Sequence, residues 1–344
     1  MSPSQQRPLK YKPWDGDIQQ LECIGSGVSS LVFAIDKQRV AKISVGTPQS
    51  IEDIDRERAV YRRFKENPGK SECRYILSCF EIENARGLVL ERCQGTLRSY
   101  IRSNSPIPHR LVLKWARQVA EGLAFVHGCQ VIQGDVGCHN ILLDSKNNIK
   151  LADFAGSAID QLDASVNYEV RSRLPGITRP TKQSDIFAFG SAFYELATGS
   201  TPYAGKSYTS VQNMYKNKKF PEDVDGISYF GPTIRKCWQQ GFKSGKDVMD
   251  ALGRIVLPQT ESKSDQDPLV LEAPGHFLAR SLESSVETSS RTPRRYRKPP
   301  NTPSGPPTFR HHSEVERVTR RRTRKSKIPE LKWLNKFILW TRAP

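Results

Sequence analysis

Apolar residues recur with a regular period from residue 17 to residue 255 of this 344-residue chain, and this stretch limits the folds that the chain can adopt. Short β-branched runs come first, at residues 17–24, 31–35 and 39–44. After residue 97 the apolar residues recur at helical spacing. Strand-like segments followed by helical ones predict an α+β chain with two unequal lobes.

The remaining segments agree with this order of elements. Residues 51–66 are predicted to form a helix, and residues 76–83 and 87–91 are strand-like. In residues 111–127 the apolar side chains form one stripe, which predicts an amphipathic helix. Residues 186–198 are apolar nearly all round, so we expect that helix to be buried.

The pattern changes at residue 256. Residues 256–328 are rich in Ser, Pro, Thr and Arg and have no sustained apolar period. Such a segment cannot bury enough surface to offset its ordering entropy, so we predict that it is disordered. Residues 329–342 place their apolar side chains mostly on one side of a helix, which predicts an amphipathic terminal helix. Residues 1–16 form an extension before the periodic stretch.

The net charge of +17 is concentrated near the C-terminus. Residues 291–344 carry 16 Lys and Arg against three Glu, a net charge of +13, and the other 290 residues carry only +4. The basic run at residues 320–327 is compatible with an import receptor, a nucleic acid or an anionic membrane as its partner. A solvated charge run is the alternative. The charge therefore concerns this tail and says little about the periodic stretch.

Composition also excludes some protein classes. The wholly apolar runs are far shorter than the roughly 18 residues that a membrane span needs, and the first residues lack the apolar core of a secretory signal. The seven cysteines form no C-x-x-C pair, which is typical of reduced thiols and not of a disulfide framework. We therefore expect an intracellular protein, in the cytoplasm, the nucleus or both.

Two glycines lie between the first two predicted strands, in the segment Ile24-Gly25-Ser26-Gly27. Glycine lets a backbone turn approach a phosphate closely and offer its amides to the anion. A plain glycine hairpin is the alternative, because the third glycine of a G-x-G-x-x-G pattern is replaced by Ser30. The elements that follow favour phosphate binding.

A lysine, Lys42, lies within the third apolar strand, and the next predicted helix carries Glu57. A lysine inside such a strand is costly unless its charge is paired. Strand, lysine and helical glutamate follow in the order required for an ion pair that positions a lysine on nucleotide phosphates.

Two carboxylates and an amide come later in the chain, at Asp135, Asn140 and Asp153. If a hairpin brings them together, they supply hard oxygen ligands suited to Mg²⁺. A polar loop and an aspartate at a strand end are the alternative interpretation of each motif taken alone.

Taken together, these motifs resemble the eukaryotic protein kinase family over about residues 17–255. The glycine loop, the lysine strand, the helical glutamate and the carboxylate motifs occur in the family's order, and Asp185 heads the predicted buried helix. In detail the chain is similar to divergent kinase-like proteins of filamentous fungi. The resemblance implies a two-lobed protein kinase-like fold, with a β-rich N-lobe at about 17–90, a helical C-lobe at about 91–255 and a monomeric catalytic domain.

The resemblance also implies roles for individual residues. Lys42, paired with Glu57, would bind the α- and β-phosphates of ATP, and Asp135 would accept the proton of the substrate hydroxyl. Asn140 and Asp153 would hold Mg²⁺.

An adenine pocket and a phosphate loop are implied in the same way. Apolar side chains would sandwich the adenine ring, and backbone groups just after the gatekeeper Leu90 would bond its edge. The implied residues are Ile24, Val32, Val40 and Leu142 for the ring, Glu91 and Cys93 for the edge, and Gly25, Ser26 and Gly27 for the phosphates.

Several positions depart from the family pattern. Gln133 and Gly134 stand where the family has His and Arg, and the missing arginine predicts an enzyme that a phosphate on its activation segment does not switch on. Gly137 replaces a lysine that neutralises the transferring phosphoryl group, a loss of about a few kcal/mol of transition-state stabilisation. In the activation segment we expect Ser165, Tyr168 and Ser172 to be solvated loop hydroxyls, with modification of these hydroxyls as the alternative.

Three functions follow as hypotheses. The first is a protein kinase that moves the γ-phosphoryl of ATP to a protein hydroxyl, more in keeping with Ser/Thr than with Tyr. The second is an ATP-binding pseudokinase that acts as an interaction module. The third is a small-molecule kinase, against which the Lys236-Cys237-Trp238 segment argues, since protein kinases often have a Cys-Trp pair in a late helix.

Overall fold

The computed structural model describes residues 13–67, 73–82, 87–160 and 168–258. These residues all belong to one of the two compact units of the chain, the unit of residues 1–279. The predicted disordered segment at 256–328 lies outside the described residues except for residues 256–258. The predicted terminal helix at 329–342 and the basic partner-binding run lie wholly outside them, as does most of the N-terminal extension.

A five-stranded antiparallel sheet forms the N-lobe. Its strands are β1 (Glu22–Ser26), β2 (Ser30–Ala34), β3 (Arg39–Ser44), β4 (Cys79–Glu81) and β5 (Gly87–Glu91). Their spatial order is β1-β2-β3-β5-β4, and helix α1 (Pro48–Lys65) connects β3 to β4. The lysine strand β3 is therefore central in the sheet.

Two strands are shorter than predicted. The strand expected at 17–24 begins only at Glu22, because the Leu21 N–H bonds back to the Ile18 carbonyl in a turn, at 3.2 Å. The strand expected at 76–83 is reduced to β4, because the Leu77 N–H donates to the Leu151 carbonyl of the C-lobe, at 2.9 Å. This second bond ties the two lobes together next to the sheet.

Strand β3 separates two apolar clusters. Ala41 and Ile43 pack in an outer cluster that includes Trp14, whereas Val40 belongs to the large core that continues into the C-lobe. Because side chains alternate along a strand, Lys42 lies on the same face as Val40. The pleat of β3 therefore turns the lysine toward the C-lobe.

Helix α1 begins earlier than the predicted residue 51. The Thr47 side chain accepts the N–H of Ser50 at 3.2 Å, and Pro48 occupies the first turn, where a missing N–H does no harm. The helix buries Glu57 together with Tyr61, one turn further on. Its buried face thus brings a carboxylate to the inner side of the sheet.

The C-lobe is mainly helical, with short strand pairs around its loops. Its helices are α2 (Leu97–Asn104), α3 (His109–Gly128), α4 (Lys182–Thr198), α5 (Tyr208–Lys216), α6 (Gly231–Trp238) and α7 (Gly245–Gly253). The strands are β6 (Gly95–Thr96), β7 (Val131–Ile132), β8 (Ile141–Leu143), β9 (Ile149–Leu151) and β10 (Ala158–Ile159), and single 3₁₀ turns lie at Val170–Ser172 and Glu222–Gly226. Across the described ranges, the helices are all too short or too polar to cross a membrane.

Helix α4 is the buried centre of the C-lobe. Every residue from 184 to 196 is buried, which confirms the prediction made from its all-round apolar sequence. Thr181 and Ser184 form a reciprocal cap at its start, and Gly199 ends it in the left-handed conformation, with φ of 78°. The helix is therefore a fixed frame for the loops that pack on it.

The seven cysteines are free thiols that differ in exposure. Cys23 is exposed, and burial raises the pKa of both Cys79 and Cys93 to about 12. Since the thiolate is the reactive form, we expect iodoacetamide to modify Cys23 first in the folded protein and the other thiols only after denaturation. Peptide mass spectrometry over a time course measures this, and modification of Cys93 as fast as Cys23 would contradict the packing described.

Candidate active site

Lys42 makes two ion pairs, one within the N-lobe and one with the C-lobe. Its ammonium lies 2.6 Å from Glu57 Oε2 on α1 and 2.7 Å from Asp153 Oδ1, just after β9. The Lys42 side chain is 9% exposed and that of Glu57 is 0% exposed. Burial alone lowers the pKa of Lys42, but the two carboxylates outweigh it and hold the pKa above its ordinary value. The lysine therefore stays protonated.

Asp153 is half-exposed and ionised. Burial of the carboxyl raises its pKa, but the Lys42 ammonium outweighs this and holds the pKa below the ordinary value. Its backbone has a φ of 59°, which a residue other than glycine adopts rarely and which is concentrated at functional sites. Half of the side-chain surface is exposed, so the carboxylate can accept a further ligand.

Phe154 holds Asp153 against helix α1. Its ring is 0% exposed and packs edge-on against Tyr61 and Phe64, with centroids 5.7 and 5.2 Å apart. Its N–H points to Glu57 Oε1 at 3.4 Å. The helical glutamate and the carboxylate after β9 are therefore fixed relative to each other by one aromatic cluster.

Asp135 has one engaged and one free carboxylate oxygen. Its Oδ2 accepts hydrogen bonds from Asn140 Nδ2 and from His139 Nε2, each at 3.0 Å. Its Oδ1 is buried without a hydrogen-bond partner among the described residues. Asp135, Asn140 and Asp153 line one small pocket, so the loop and the strand end meet as the sequence predicts. The free oxygen can accept a proton there.

His139 was not among the predicted site residues. Burial lowers its pKa, but the hydrogen bond to Asp135 and the charge of Glu169 outweigh it and hold the pKa above its ordinary value. The sequence signal for this residue was only its position directly before Asn140.

Gln133 connects the loop that bears Asp135 to neighbouring segments. Its Oε1 accepts the N–H of Asp135 at 2.6 Å, and its Nε2 donates to the carbonyls of Ala152 and Asp153, at 3.4 and 3.3 Å. The side chain is buried, so these bonds are not exchanged with water. Gln133 therefore links the loop of Asp135 to the end of the strand before Asp153. The sequence showed this glutamine only as a departure from the family pattern and gave no sign of these bonds.

A buried carboxylate, Asp185, anchors this loop from helix α4. It accepts the N–H groups of Gln133 and Gly134 at 3.0 Å each, the hydroxyl of Tyr168 at 2.6 Å and a hydrogen bond from His127 Nε2 at 2.8 Å. Gly134 has a φ of 85°, a conformation that glycine adopts without strain. The loop is thus bent toward the helix at that point.

The expectation of solvated hydroxyls in the activation segment was wrong for the two residues described, Tyr168 and Ser172, and Ser165 lies outside the described residues. Tyr168 is 4% exposed and Ser172 is 5% exposed. Tyr168 is buried because its hydroxyl donates to the Asp185 carboxylate, which compensates for its removal from water. Neither hydroxyl is accessible to a modifying enzyme in this state.

The side chains implied for an adenine pocket lie in or against the large core that the two lobes share. Val40 is buried in the large core, and Ile24, Val32, Cys93 and Leu142 are partly buried against it. The N–H of Glu91 donates to the Ser78 carbonyl at 2.9 Å, which limits its contribution to an adenine edge to its carbonyl oxygen.

The glycine loop is closed by a bond from the Gly27 N–H to the Ser30 carbonyl, at 2.8 Å. A Cβ atom at Gly25 would lie 3.5 Å from Val32, and one at Gly27 would lie 3.7 Å from Ser30, both ordinary contacts. Internal packing therefore does not require these glycines, which leaves room for a ligand beside the loop. Ser26, between them, is exposed.

A two-lobed fold, a buried lysine–glutamate pair and a carboxylate loop anchored on a central helix define the class of protein kinase domains. A sequence model of the protein kinase domain matches residues 18–240. The chain belongs to the protein kinase family. Members of this family use ATP and Mg²⁺.

Curated relatives are serine/threonine-protein kinases. A probable serine/threonine-protein kinase of Dictyostelium discoideum is 34% identical over 42% of this chain and 9% of its own length. PrkC of Bacillus subtilis is 32% identical over 39% of this chain and 22% of its own length, and pkpA of Phycomyces blakesleeanus 35% identical over 36% and 21%. The chain thus matches less than a quarter of the length of each of these three relatives.

Proposed function

We propose that this chain is an ATP-dependent serine/threonine protein kinase of a type that works without the arginine before its catalytic aspartate. The observation that carries the proposal is the Lys42 ammonium held between Glu57 and Asp153, at 2.6 and 2.7 Å. A protonated lysine fixed in this way is placed to bind nucleotide phosphates. A buried ion pair contributes little to stability, which favours a functional reason for its presence.

Asp135 is the proposed proton acceptor. Its Oδ2 is fixed by Asn140 and His139, so the free Oδ1 is the atom that takes the proton of the substrate hydroxyl. This geometry would assist catalysis by holding a base within hydrogen-bond distance of the hydroxyl proton that it removes. The proposed acceptor is a serine or threonine, in agreement with the names of the relatives.

Asn140 and Asp153 are the proposed magnesium ligands. The Asn140 amide nitrogen donates to Asp135, which leaves its amide oxygen for a cation, and the Asp153 carboxylate is ionised and half-exposed. No group of three or more His, Cys, Asp or Glu in the described ranges forms a complete metal site. This donor set fits Mg²⁺, which proteins hold by one or two carboxylates together with substrate phosphates and which neutralises phosphate charge when bound.

Activation without phosphate is supported by contacts of the activation segment. The carboxylate of Glu169, which follows Tyr168, accepts hydrogen bonds from the two terminal guanidinium nitrogens of Arg98 on α2, at 2.7 Å each. Gly134 offers no cation to a phosphate on that segment. An internal carboxylate and a built-in arginine therefore replace the phosphate and the loop arginine of the usual arrangement.

The test is phosphoryl transfer from γ-labelled ATP with Mg²⁺ to the chain itself and to a general protein substrate. We expect label on serine or threonine with the wild type and a loss of about 100-fold or more with Asp135→Asn, which keeps the shape and removes the base. Asp250→Asn, at an exposed carboxylate of α7 that pairs with Lys246 at 3.1 Å, is the matched control and should transfer normally.

Other results would favour the other functions. ATP binding without transfer by the wild type would favour a pseudokinase. Transfer to a small alcohol but to no protein would favour a small-molecule kinase. Label found on phosphotyrosine, and not on phosphoserine or phosphothreonine, would contradict the proposed acceptor.

A further inference from the structure

The ring of His139 fills the space above Gly137. A Cβ atom built on Gly137 would lie 2.6 Å from both Cε1 and Nδ1 of that ring. Contacts below 3.0 Å do not occur between real Cβ atoms and their neighbours, so any side chain at position 137 must displace the ring. The His139 ring can therefore occupy this position only because residue 137 is a glycine and not a lysine.

The same ring contacts the proposed base. His139 Nε2 donates to Asp135 Oδ2 at 3.0 Å, so this oxygen has two donors, the ring and the Asn140 amide. A carboxylate held by two donors on one oxygen cannot rotate without losing both bonds. The Asp135 Oδ1 atom, which has no hydrogen-bond partner among the described residues, is then kept in one position beside the pocket that Asp135 lines.

The other edge of the ring faces the activation segment. His139 Nδ1 lies 3.5 Å from Glu169 Oε2. Glu169 is held by Arg98, which also binds Glu195 of α4 through its Nε and one terminal nitrogen, at 2.7 and 2.8 Å. The Arg98 N–H in turn donates to the Cys138 carbonyl, inside the catalytic loop, at 2.9 Å.

We propose that His139 is the positioning residue of this kinase, orienting Asp135 from the space that the glycine at position 137 leaves open, with the carboxylate of Glu169, itself bound by Arg98, facing the other edge of its ring. This inference rests on the proposed function. The space that a side chain at position 137 would occupy is taken by the ring of a residue two positions later. A base oriented by a second side chain, which a third group holds, is a recurrent arrangement in catalysis.

The proposal predicts that the effects of variants at positions 139 and 137 on kcat are not additive, which a merely structural role does not predict. His139→Ala is expected to lower kcat by about 10- to 100-fold with the KM for ATP changed less than about twofold, because the base is misplaced and the nucleotide contacts are intact. Gly137→Ala is expected to cause a similar loss, because its new Cβ displaces the ring. In the double variant, Gly137→Ala should add less than about twofold to the loss, since there is no ring to displace.

Rescue and control variants complete the experiment. His139→Gln, which keeps a side-chain N–H donor, is expected to recover part of kcat. His109→Ala, which removes a ring that packs on Tyr229 and Phe230, should leave kcat unchanged. Circular dichroism and urea unfolding establish that each variant is folded before its kinetics are compared.

The outcomes separate this inference from the proposed function. A wild type with no transfer overturns the proposed function and this inference with it. An active wild type with a folded His139→Ala variant within about twofold of its kcat overturns only the inference. If Gly137→Ala lowers kcat equally in the wild type and in the His139→Ala variant, the inference is overturned as well, because the loss then does not arise from displacement of the ring.

Discussion

A Lys42→Met variant is expected to lose ATP binding and to have a free energy of unfolding lower by about 3 to 5 kcal/mol at neutral pH. Glu57 is 0% exposed and has the Lys42 ammonium as its cation, 2.6 Å away. Methionine keeps the apolar stem of lysine and removes the charge, so a fully buried carboxylate loses its partner. Urea unfolding measures the stability, and isothermal titration with ATP and Mg²⁺ measures the binding.

The stability lost in this variant should shrink as the pH falls. Complete burial raises the pKa of Glu57 while Lys42 opposes the shift, so removal of the lysine raises the pKa further. A carboxyl with a higher pKa in the folded than in the unfolded state binds more protons when folded, and it therefore destabilises the fold as the pH rises above its unfolded pKa. Unfolding curves between about pH 5 and 7 test this sign.

The double variant Lys42→Met, Glu57→Gln is the matched control. Glutamine keeps the shape of Glu57 without its charge, so we expect most of the stability to return while ATP binding does not. A Lys42→Met variant as stable as the wild type at neutral pH would contradict the buried ion pair. A double variant that is no more stable than the single one would assign the loss to packing.

An Asp185→Ala variant is expected to be destabilised by about 4 kcal/mol or more and to transfer no phosphoryl group. Asp185 accepts hydrogen bonds from two backbone N–H groups, a tyrosine hydroxyl and a histidine, all in a buried site. Each buried donor left unpaired costs about 1 to 3 kcal/mol. Thermal and urea unfolding give the stability, and the labelled-ATP assay gives the transfer.

Two further variants show whether the four bonds account for this loss. Asp185→Asn keeps one carbonyl oxygen, so its stability should lie between that of Asp185→Ala and the wild type. Asp223→Ala removes a carboxylate on the surface that accepts one hydrogen bond, from Tyr194, at 2.6 Å, and should cost at most about 1 kcal/mol. Equal losses at positions 185 and 223 would contradict the special role of the buried carboxylate.

The pairing of Lys42 with Glu57 could be predicted from the sequence because it depends on local patterns, whereas the contact of Lys42 with Asp153, 111 residues further along the chain, could not. A lysine in an apolar strand requires a partner, and the following helix supplies a glutamate on its buried face. The buried helix α4 could be predicted for the same reason, since its apolar residues extend all round it. Element ends were less certain, because single turn and capping bonds decide them, as at Leu21 and Thr47.

The bonds around Asp185 and His139 could not be predicted. The partners of Asp185 lie 17 to 58 residues away in the chain, and no local pattern relates them. The position of the His139 ring over Gly137 depends on a side-chain rotamer and not on spacing. Tyr168 was expected in solvent because the sequence shows a polar segment, whereas its burial depends on a carboxylate from another element.

The attachment of the catalytic loop to helix α4 also determines how the lobe opens. Loops of folded proteins usually open locally, at a fraction of the free energy needed to unfold the whole. Here the peptide N–H groups of Gln133 and Gly134 donate to a carboxylate of the buried helix α4, so detachment of the loop would leave that carboxylate without two of its donors inside the core. We therefore expect the segment that bears Asp135 to open together with the core of the lobe and not as a separate local unit.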